Sequence, residues 1–170
     1  IRVDNRIAGT VPAGTAEVAH PGGGWATLVF DFSTQAQPSQ TGTTPPDGIY
    51  RDMYFFNHWD IASGDFLNPF TGTTTYVDNI SKGVVVPFSE DFEGPTFPGL
   101  GAVNGASQPI ILPDPTPGAT NGTDVLSIIS NSAGQPWQQA ELEFQSGFEL
   151  DLTGTDKRVS VDWYSIPAFS

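Results

Sequence analysis

The sequence predicts an all-β fold, a β-sandwich of the jelly-roll type. Apolar and polar residues alternate with a period of two in several short segments, and no stretch has a sustained helical period. Turn-forming clusters separate these segments, and the 170-residue chain contains 19 glycines and 15 prolines to build them. Many short strands joined by turns at this spacing are typical of sandwiches and jelly rolls.

The predicted strands follow one another along the chain. In WATLVFDF, Leu28, Phe30 and Phe32 share one face of a strand, while Thr27 and Val29 lie on the other. Similar patterns occur in YRDMYFFNHW, TTYVDNI, DVLSIIS, QAELEFQ, FELDL and KRVSVDWYS. The turn clusters between them include HPGGGW, TGTTPPDG, NPFTGT and LPDPTPGATNGTD. Each cluster is rich in residues that favour turns.

Charge and composition exclude several classes of protein. The formal net charge is −13, and the six Lys and Arg residues are too few to neutralise a nucleic-acid backbone or bind an anionic membrane. The chain has no cysteine, which excludes disulfides, a thiol nucleophile and Cys-ligated zinc. No apolar run approaches the roughly 20 residues that span a bilayer. We therefore expect no nucleic-acid binding and no membrane insertion.

A domain boundary is predicted near the middle of the chain. TTYVDNI is typical of a closing strand, SKGVVVP of a connector, and FSEDFEGPTFPG of the beginning of a new unit. We predict that residues 1–82 form the C-terminal part of one β-sandwich domain and that residues 83–88 form a linker. Residues 89–170 would then form the N-terminal part of the following domain.

The two ends of the chain are predicted to adjoin. When VSVDWYSIPAFS is continued into IRVDN, the alternation crosses the junction without a change of register, which chance allows about half the time. Phe169, Ile1 and Val3 then share one face, and Ser170 lies on the other. We predict that these four residues form a junction between consecutive units.

Several motifs together resemble a known family. EDFEG, TGTDKRVSVDWYSIPAF, IRVDN, GGGWATLVFDFS and TYVDNI are similar to motifs of the carbohydrate-binding-module-like jelly-roll domains in secreted and cell-surface proteins of Bacteroidetes. In that family the DFE motif comes first and the strand ending in D-N-I closes the domain, so the order here is rotated. The resemblance covers nearly the whole chain.

The rotated order has three explanations. The chain is a circular permutant, one period of a tandem repeat, or one of several chains that exchange strands. We favour the tandem repeat over the permutant because natural permutants tend to open at exposed loops.

The resemblance also implies a structural Ca²⁺ ion. Domains of this kind often hold calcium between a Glu near their beginning and an Asp in their closing strand, and the matching positions here are Glu93 and Asp78. Calcium takes about six to eight oxygen ligands, so backbone carbonyls or water must supplement two carboxylates. The alternative is that both residues are solvated carboxylates at strand ends.

Aromatic residues are the candidates for a sugar-binding surface. Carbohydrate modules stack pyranose rings on exposed aromatics, and we select Trp137, Trp59 and Tyr50, with Tyr54 also available. Trp137 is the preferred candidate because Gly, Pro and Gln surround it in the loop-like segment AGQPWQQ. The alternative for each residue is the core, since a jelly roll needs many buried aromatics.

No catalytic arrangement is evident. Glu90, Asp91 and Glu93 are too close in sequence to face each other across a glycosidic bond, and the common hydrolase and phosphate-binding motifs are absent. We predict no enzyme but a structural repeat unit of an extracellular filament or long surface adhesin. Its partners would be identical neighbouring units, with glycans as a further partner. The alternative is a carbohydrate-binding module of a secreted polysaccharide-degrading protein.

Overall fold

The computed structural model describes residues 1–5, 12–67, 72–82, 88–94, 98–116 and 124–165. Within these ranges nearly all regular structure is β. The strands are β1 (Arg2–Asp4), β2 (Gly14–Thr15), β3 (Gly24–Asp31), β4 (Ile49–Tyr50), β5 (Asp52–Phe55), β6 (Trp59–Asp60), β7 (Asp65–Phe66), β8 (Thr74–Lys82), β9 (Phe88–Glu90), β10 (Gly99–Val103), β11 (Ile110–Pro113), β12 (Asp124–Ile129), β13 (Gln139–Glu143), β14 (Leu150–Asp151) and β15 (Arg158–Ser165). A single turn of helix, α1 (Pro38–Thr41), interrupts them. No helix in the described ranges has the length and hydropathy needed to cross a membrane.

Two antiparallel sheets pack against each other. Sheet I has the strand order β10-β13-β5-β1-β2, and sheet II has the order β11-β12-β8-β15-β3. Strand β9 pairs with the C-terminal end of β8, where Ile80 lies opposite Glu90. Two short ladders, β14 with β4 and β6 with β7, complete the pairing. The predicted all-β sandwich is therefore confirmed.

The core lies between the sheets, and the alternation in the sequence decides which residues enter it. On β3 and just beyond it, Leu28, Phe30 and Phe32 are buried, whereas Val29 is 47% exposed. Val159 and Val161 contribute the same kind of face from β15 and are fully buried. Burial of each such side chain contributes about 1.5–3 kcal/mol of transfer free energy.

Strand β5 departs from the predicted alternation. All four of its residues, Asp52 to Phe55, are buried. Successive residues of a strand point to opposite faces of the sheet, so this burial shows that both faces of β5 are covered. The segment YRDMYFFNHW, predicted as one alternating unit, is divided among β4, β5 and β6.

Each sheet contains strands from both predicted half-domains. Sheet I combines β1, β2 and β5 with β10 and β13, and sheet II combines β3 and β8 with β11, β12 and β15. Of the predicted linker 83–88, only Phe88 is described, and it begins β9. Consecutive copies of the chain would make the same pairings as one chain closing on itself. The division into 1–82 and 89–170 therefore stays a prediction.

Candidate functional site

An acidic cluster lies where β8 and β15 run side by side. Asp78 on β8 is the register partner of Asp162 on β15. The side-chain amide of Asn79 donates to Asp162 Oδ2 at 3.1 Å and to Asp78 Oδ2 at 3.4 Å. Asp78 is fully buried, although it carries a carboxylate.

Glu93 and Asp91 belong to the same acidic cluster. The pKa of Asp78 is raised to about 7, mainly by burial. The hydrogen bond from the Asn79 backbone opposes this rise. Charge repulsion from Asp162, Glu93 and Asp91 adds to it. Glu93 is itself exposed, and its Oε1 accepts a hydrogen bond from the Asp124 backbone at 2.6 Å. The two residues predicted to share calcium are thus close enough to interact electrostatically.

Two strained backbone positions shape this cluster. Asn79 has φ of 46° and Phe92 has φ of 57°, in the left-handed region that non-glycine residues rarely adopt. Phe92 anchors the turn, because its side chain is fully buried and its backbone N–H donates to Glu90 Oε1 at 2.8 Å. Such strain concentrates at functional positions because the surrounding structure must hold it.

The acidic cluster has the negative charge that a calcium ion requires, but its side chains provide too few ligands for the ion. The Asp78 carboxylate accepts hydrogen bonds from the backbone N–H and the side-chain amide of Asn79. A buried carboxylate in this setting is stabilised by a cation. However, the described residues contain no group of three or more His, Asp and Glu side chains arranged to hold a metal ion. Backbone carbonyls and water would have to supply the remaining ligands.

A second feature is a polar groove of about 690 Å³. Trp59 and Trp137, two of the three predicted sugar-binding residues, both line it. Its polar lining includes Arg2, Glu17, Gln37, Gln40, Asp65 and Gln139. These residues come from distant parts of the chain, which the fold brings together.

The loop that carries Trp137 is well anchored. The Gln138 side chain accepts from the Asn131 backbone at 2.7 Å and donates back to the Asn131 carbonyl at 3.0 Å. The Asn131 carbonyl also accepts from the Gly134 backbone at 2.8 Å. Trp137 is nevertheless 47% exposed. The loop therefore presents a large aromatic ring to solvent in a fixed position.

Trp59 is held by contacts on two sides. Its ring meets Phe66 edge-on, with centroids 5.1 Å apart and planes inclined by 75°. Its indole N–H donates to the Glu17 carboxylate. The ring of Trp59 is consequently half-buried and oriented by the protein itself.

Tyr50 does not belong to this surface. Its side chain is fully buried, and its hydroxyl donates to the Pro12 carbonyl at 2.6 Å. Tyr54 on β5 is only 9% exposed. Neither ring has a free face on which a sugar could stack, so both are core residues here.

The predicted junction is described only in part. Val3 is fully buried on β1, and Ile1 packs against the same core. The Ile1 amino group donates to the Ala16 carbonyl at 2.7 Å. Phe169 and Ser170 lie outside the described residues, so their junction with Ile1 stays a prediction.

A third feature, an apolar cavity of about 610 Å³, was not predicted from the sequence. The residues that it shares with the polar groove are Glu17, Ala36, Gln37, Phe56, Trp59 and Phe66. Leu28, Phe30 and Trp163 extend its lining. The signal in the sequence was the aromatic residues Trp59 in NHWD and Phe66 in GDFL. Such residues are equally typical of a core.

The chain has no match among protein-family models, curated proteins or solved structures.

Proposed function

We propose that this chain is a glycan-binding β-sandwich of an extracellular or cell-surface protein, of the carbohydrate-binding-module class. The observation that carries the proposal is the polar groove, where Trp59 and Trp137 line the same depression as the amides of Gln37, Gln40 and Gln139. Aromatic rings and planar amides are the groups that bind sugars best. The geometry therefore favours the alternative of the sequence analysis over the purely structural repeat.

The groove offers both kinds of contact that a sugar needs. An aromatic ring gives a flat apolar face to the C–H groups of a pyranose. Side-chain amides donate to and accept from its hydroxyls, and carboxylates accept from them. Trp137 is 47% exposed and so retains a surface for stacking. The volume of about 690 Å³ also falls within the usual range for small-molecule sites.

The experiment is a titration with a broad panel of soluble oligosaccharides, followed by Trp fluorescence. We expect Trp137→Ala to weaken binding about fivefold, because stacking on one ring is worth about 1 kcal/mol. Phe148→Ala is the matched control, since Phe148 is 68% exposed and does not line the groove. No binding across the panel, or equal losses in both variants, would contradict the proposal.

A second proposed function, assembly of consecutive units, is compatible with the sheet topology. Both sheets combine strands from residues 1–82 with strands from residues 88–165, so the core is complete only when both segments meet. Consecutive copies could supply these segments to each other as repeat units of a filament or long adhesin. The denatured mass of the natural polypeptide tests this assembly. A product much larger than 18.1 kDa that digests to these peptides would support a tandem repeat, and a product of 18.1 kDa would oppose it.

A structural Ca²⁺ at the acidic cluster forms part of the same proposal. Its support is the buried charge of Asp78 and the proximity of Glu93. When bound, the ion would offset the repulsion among these carboxylates and stiffen the end of β8.

A further inference from the structure

The apolar cavity differs in chemistry from the polar groove beside it. Its walls come from sheet II through Leu28, Phe30 and Trp163, and from the β6–β7 hairpin region through Phe56 and Phe66. The volume of about 610 Å³ is large enough for a small organic molecule. Carbon-rich walls of this kind favour a ligand with an apolar body.

Aromatic rings cluster on one side of the cavity. Phe66 contacts Phe56 with ring centroids 5.6 Å apart, and it contacts Trp59 at 5.1 Å. Trp163 belongs to the opposite wall and packs on Phe55 at 5.8 Å. The faces of such rings carry partial negative charge and attract cations, with Trp the strongest partner.

The charged groups at the cavity have the same sign. Glu17 and Asp60 line it, and its described lining residues include no Lys or Arg. Ile1 also lines the cavity, and its nitrogen donates a hydrogen bond to the Ala16 carbonyl at 2.7 Å. The His20 nitrogens are both engaged, Nε2 with the Trp163 carbonyl at 3.1 Å and Nδ1 with the Gly22 backbone at 3.2 Å. The charged side chains among the described lining residues are therefore acidic.

We propose that the apolar cavity binds a small organic cation with an apolar chain, of the quaternary ammonium class. The aromatic rings would surround the cationic head, and Glu17 and Asp60 would supply the counter-charge. The apolar chain would lie against Leu28 and Phe30. This proposal does not depend on glycan binding in the polar groove.

Ligands of opposite charge fit the cavity poorly. A fatty acid would place its carboxylate near Glu17 and Asp60 in a protein of net charge −13, where repulsion opposes binding. A sugar would lose hydrogen bonds from water against the carbon-rich walls without regaining enough of them. A neutral apolar chain would gain from burial alone.

Three probes of equal chain length separate these possibilities. Hexyltrimethylammonium, 1-hexanol and hexanoate carry a positive, neutral and negative head on the same chain, and calorimetric titration gives their affinities. We expect the ammonium compound to bind about tenfold more tightly than hexanol, with hexanoate the weakest. Equal or tighter binding of hexanoate, or no binding of any probe, would overturn the proposal.

Charge variants locate the site. Glu17→Gln keeps an acceptor for the Trp59 indole but removes the charge, and we expect it to weaken ammonium binding about fivefold while hexanol is unaffected. Asp60→Asn serves as a second variant with the same expected direction. Glu143→Gln is the matched control, because Glu143 pairs with Arg51 at 3.0 Å and does not line the cavity. An equal loss in Glu143→Gln would show that net charge, rather than the cavity, attracts the cation and would overturn the assignment.

Discussion

Asp78 and Asp162 lie opposite each other on neighbouring strands of sheet II, and the Asn79 side chain donates a hydrogen bond to each of them. The arrangement brings two like charges together, one of them fully buried. A shared amide lowers the repulsion but cannot neutralise it. Protonation or a bound cation should therefore control the stability of this part of the sandwich.

The first prediction concerns the pH dependence of Asp78. The pKa of Asp78 in the folded state is raised from 3.8 to about 7. As the pH falls, the native state therefore takes up a proton at a higher pH than the unfolded state does. In chelator, this residue should increase the free energy of unfolding as the pH falls from about 7 towards 4. Asp78→Asn should stabilise the protein at pH 8 by on the order of 2 kcal/mol, because it removes the buried charge.

Urea unfolding of both proteins at several pH values, with chelator present, checks this prediction. Above about pH 7 the variant should be the more stable protein by a constant amount, and the two curves should converge as the pH falls from about 7 towards 4. Parallel curves across the whole range would show that Asp78 carries no unfavourable charge in the native state.

The second prediction concerns calcium. If Asp78 and Glu93 hold the ion, saturating Ca²⁺ should raise the melting temperature and chelator should reverse the rise. Binding to the folded state alone contributes about 2.7 kcal/mol at a concentration of about 100 times Kd. Asp78→Asn and Glu93→Gln should both abolish the rise. Asp151→Asn, an exposed strand-end carboxylate on β14, should retain it and serves as the control. Absence of any calcium effect in the wild type would end the proposal.

The third prediction concerns His58, which is 1% exposed in the segment between β5 and β6. Desolvation lowers its pKa from 6.5 to about 4, so the unfolded state protonates first as the pH falls. Stability contributed by the neutral ring is present above pH 6.5 and is lost towards pH 4. The expected loss is on the order of 2 kcal/mol.

The His58 effect opposes that of Asp78 over nearly the same pH range. The two effects should therefore largely cancel, and together they should change the wild-type free energy of unfolding little between pH 7 and 4. His58→Gln should become relatively more stable as the pH falls, and Asp78→Asn relatively less stable. Unfolding of the double variant should match the flat wild-type slope. A His58→Gln slope equal to that of the wild type would contradict the assigned protonation of His58.

Alternation in the sequence was sufficient to predict the sandwich and the buried face of β3. Leu28, Phe30 and Phe32 are buried as their period-two spacing requires. Tyr50 shows where this reasoning fails. An alternating segment does not reveal whether a second layer covers its other face, and Tyr50 is enclosed together with β5.

The polar groove could be predicted only in part. Trp137 was recognisable because its neighbours in sequence are turn-forming and polar. Glu17, Gln37 and Gln139 gave no comparable signal, since each is an ordinary surface residue until the fold brings it beside Trp59. The proximity of Asp78 and Glu93 followed from the family resemblance, not from spacing, because 14 residues lie between them in the sequence.

The last prediction tests the rotated order of the strands. A chain in which residues 83–170 precede residues 1–82 joins Ser170 directly to Ile1 and opens between β8 and β9. This opening leaves every strand intact, and Ile80 can still pair with Glu90. If the termini adjoin as predicted, this permutant should fold and unfold cooperatively, with a melting temperature close to that of the original chain.

A second permutant supplies the control. It has the same Ser170–Ile1 joint but opens within β12, between Leu126 and Ser127, which are both buried and pair with β8. A break there disrupts two ladders of sheet II, so this variant should fail to fold. Circular dichroism and thermal unfolding distinguish the outcomes. If both permutants fail equally, the joint itself is incompatible with the fold, and the predicted junction of Phe169, Ser170, Ile1 and Val3 is wrong.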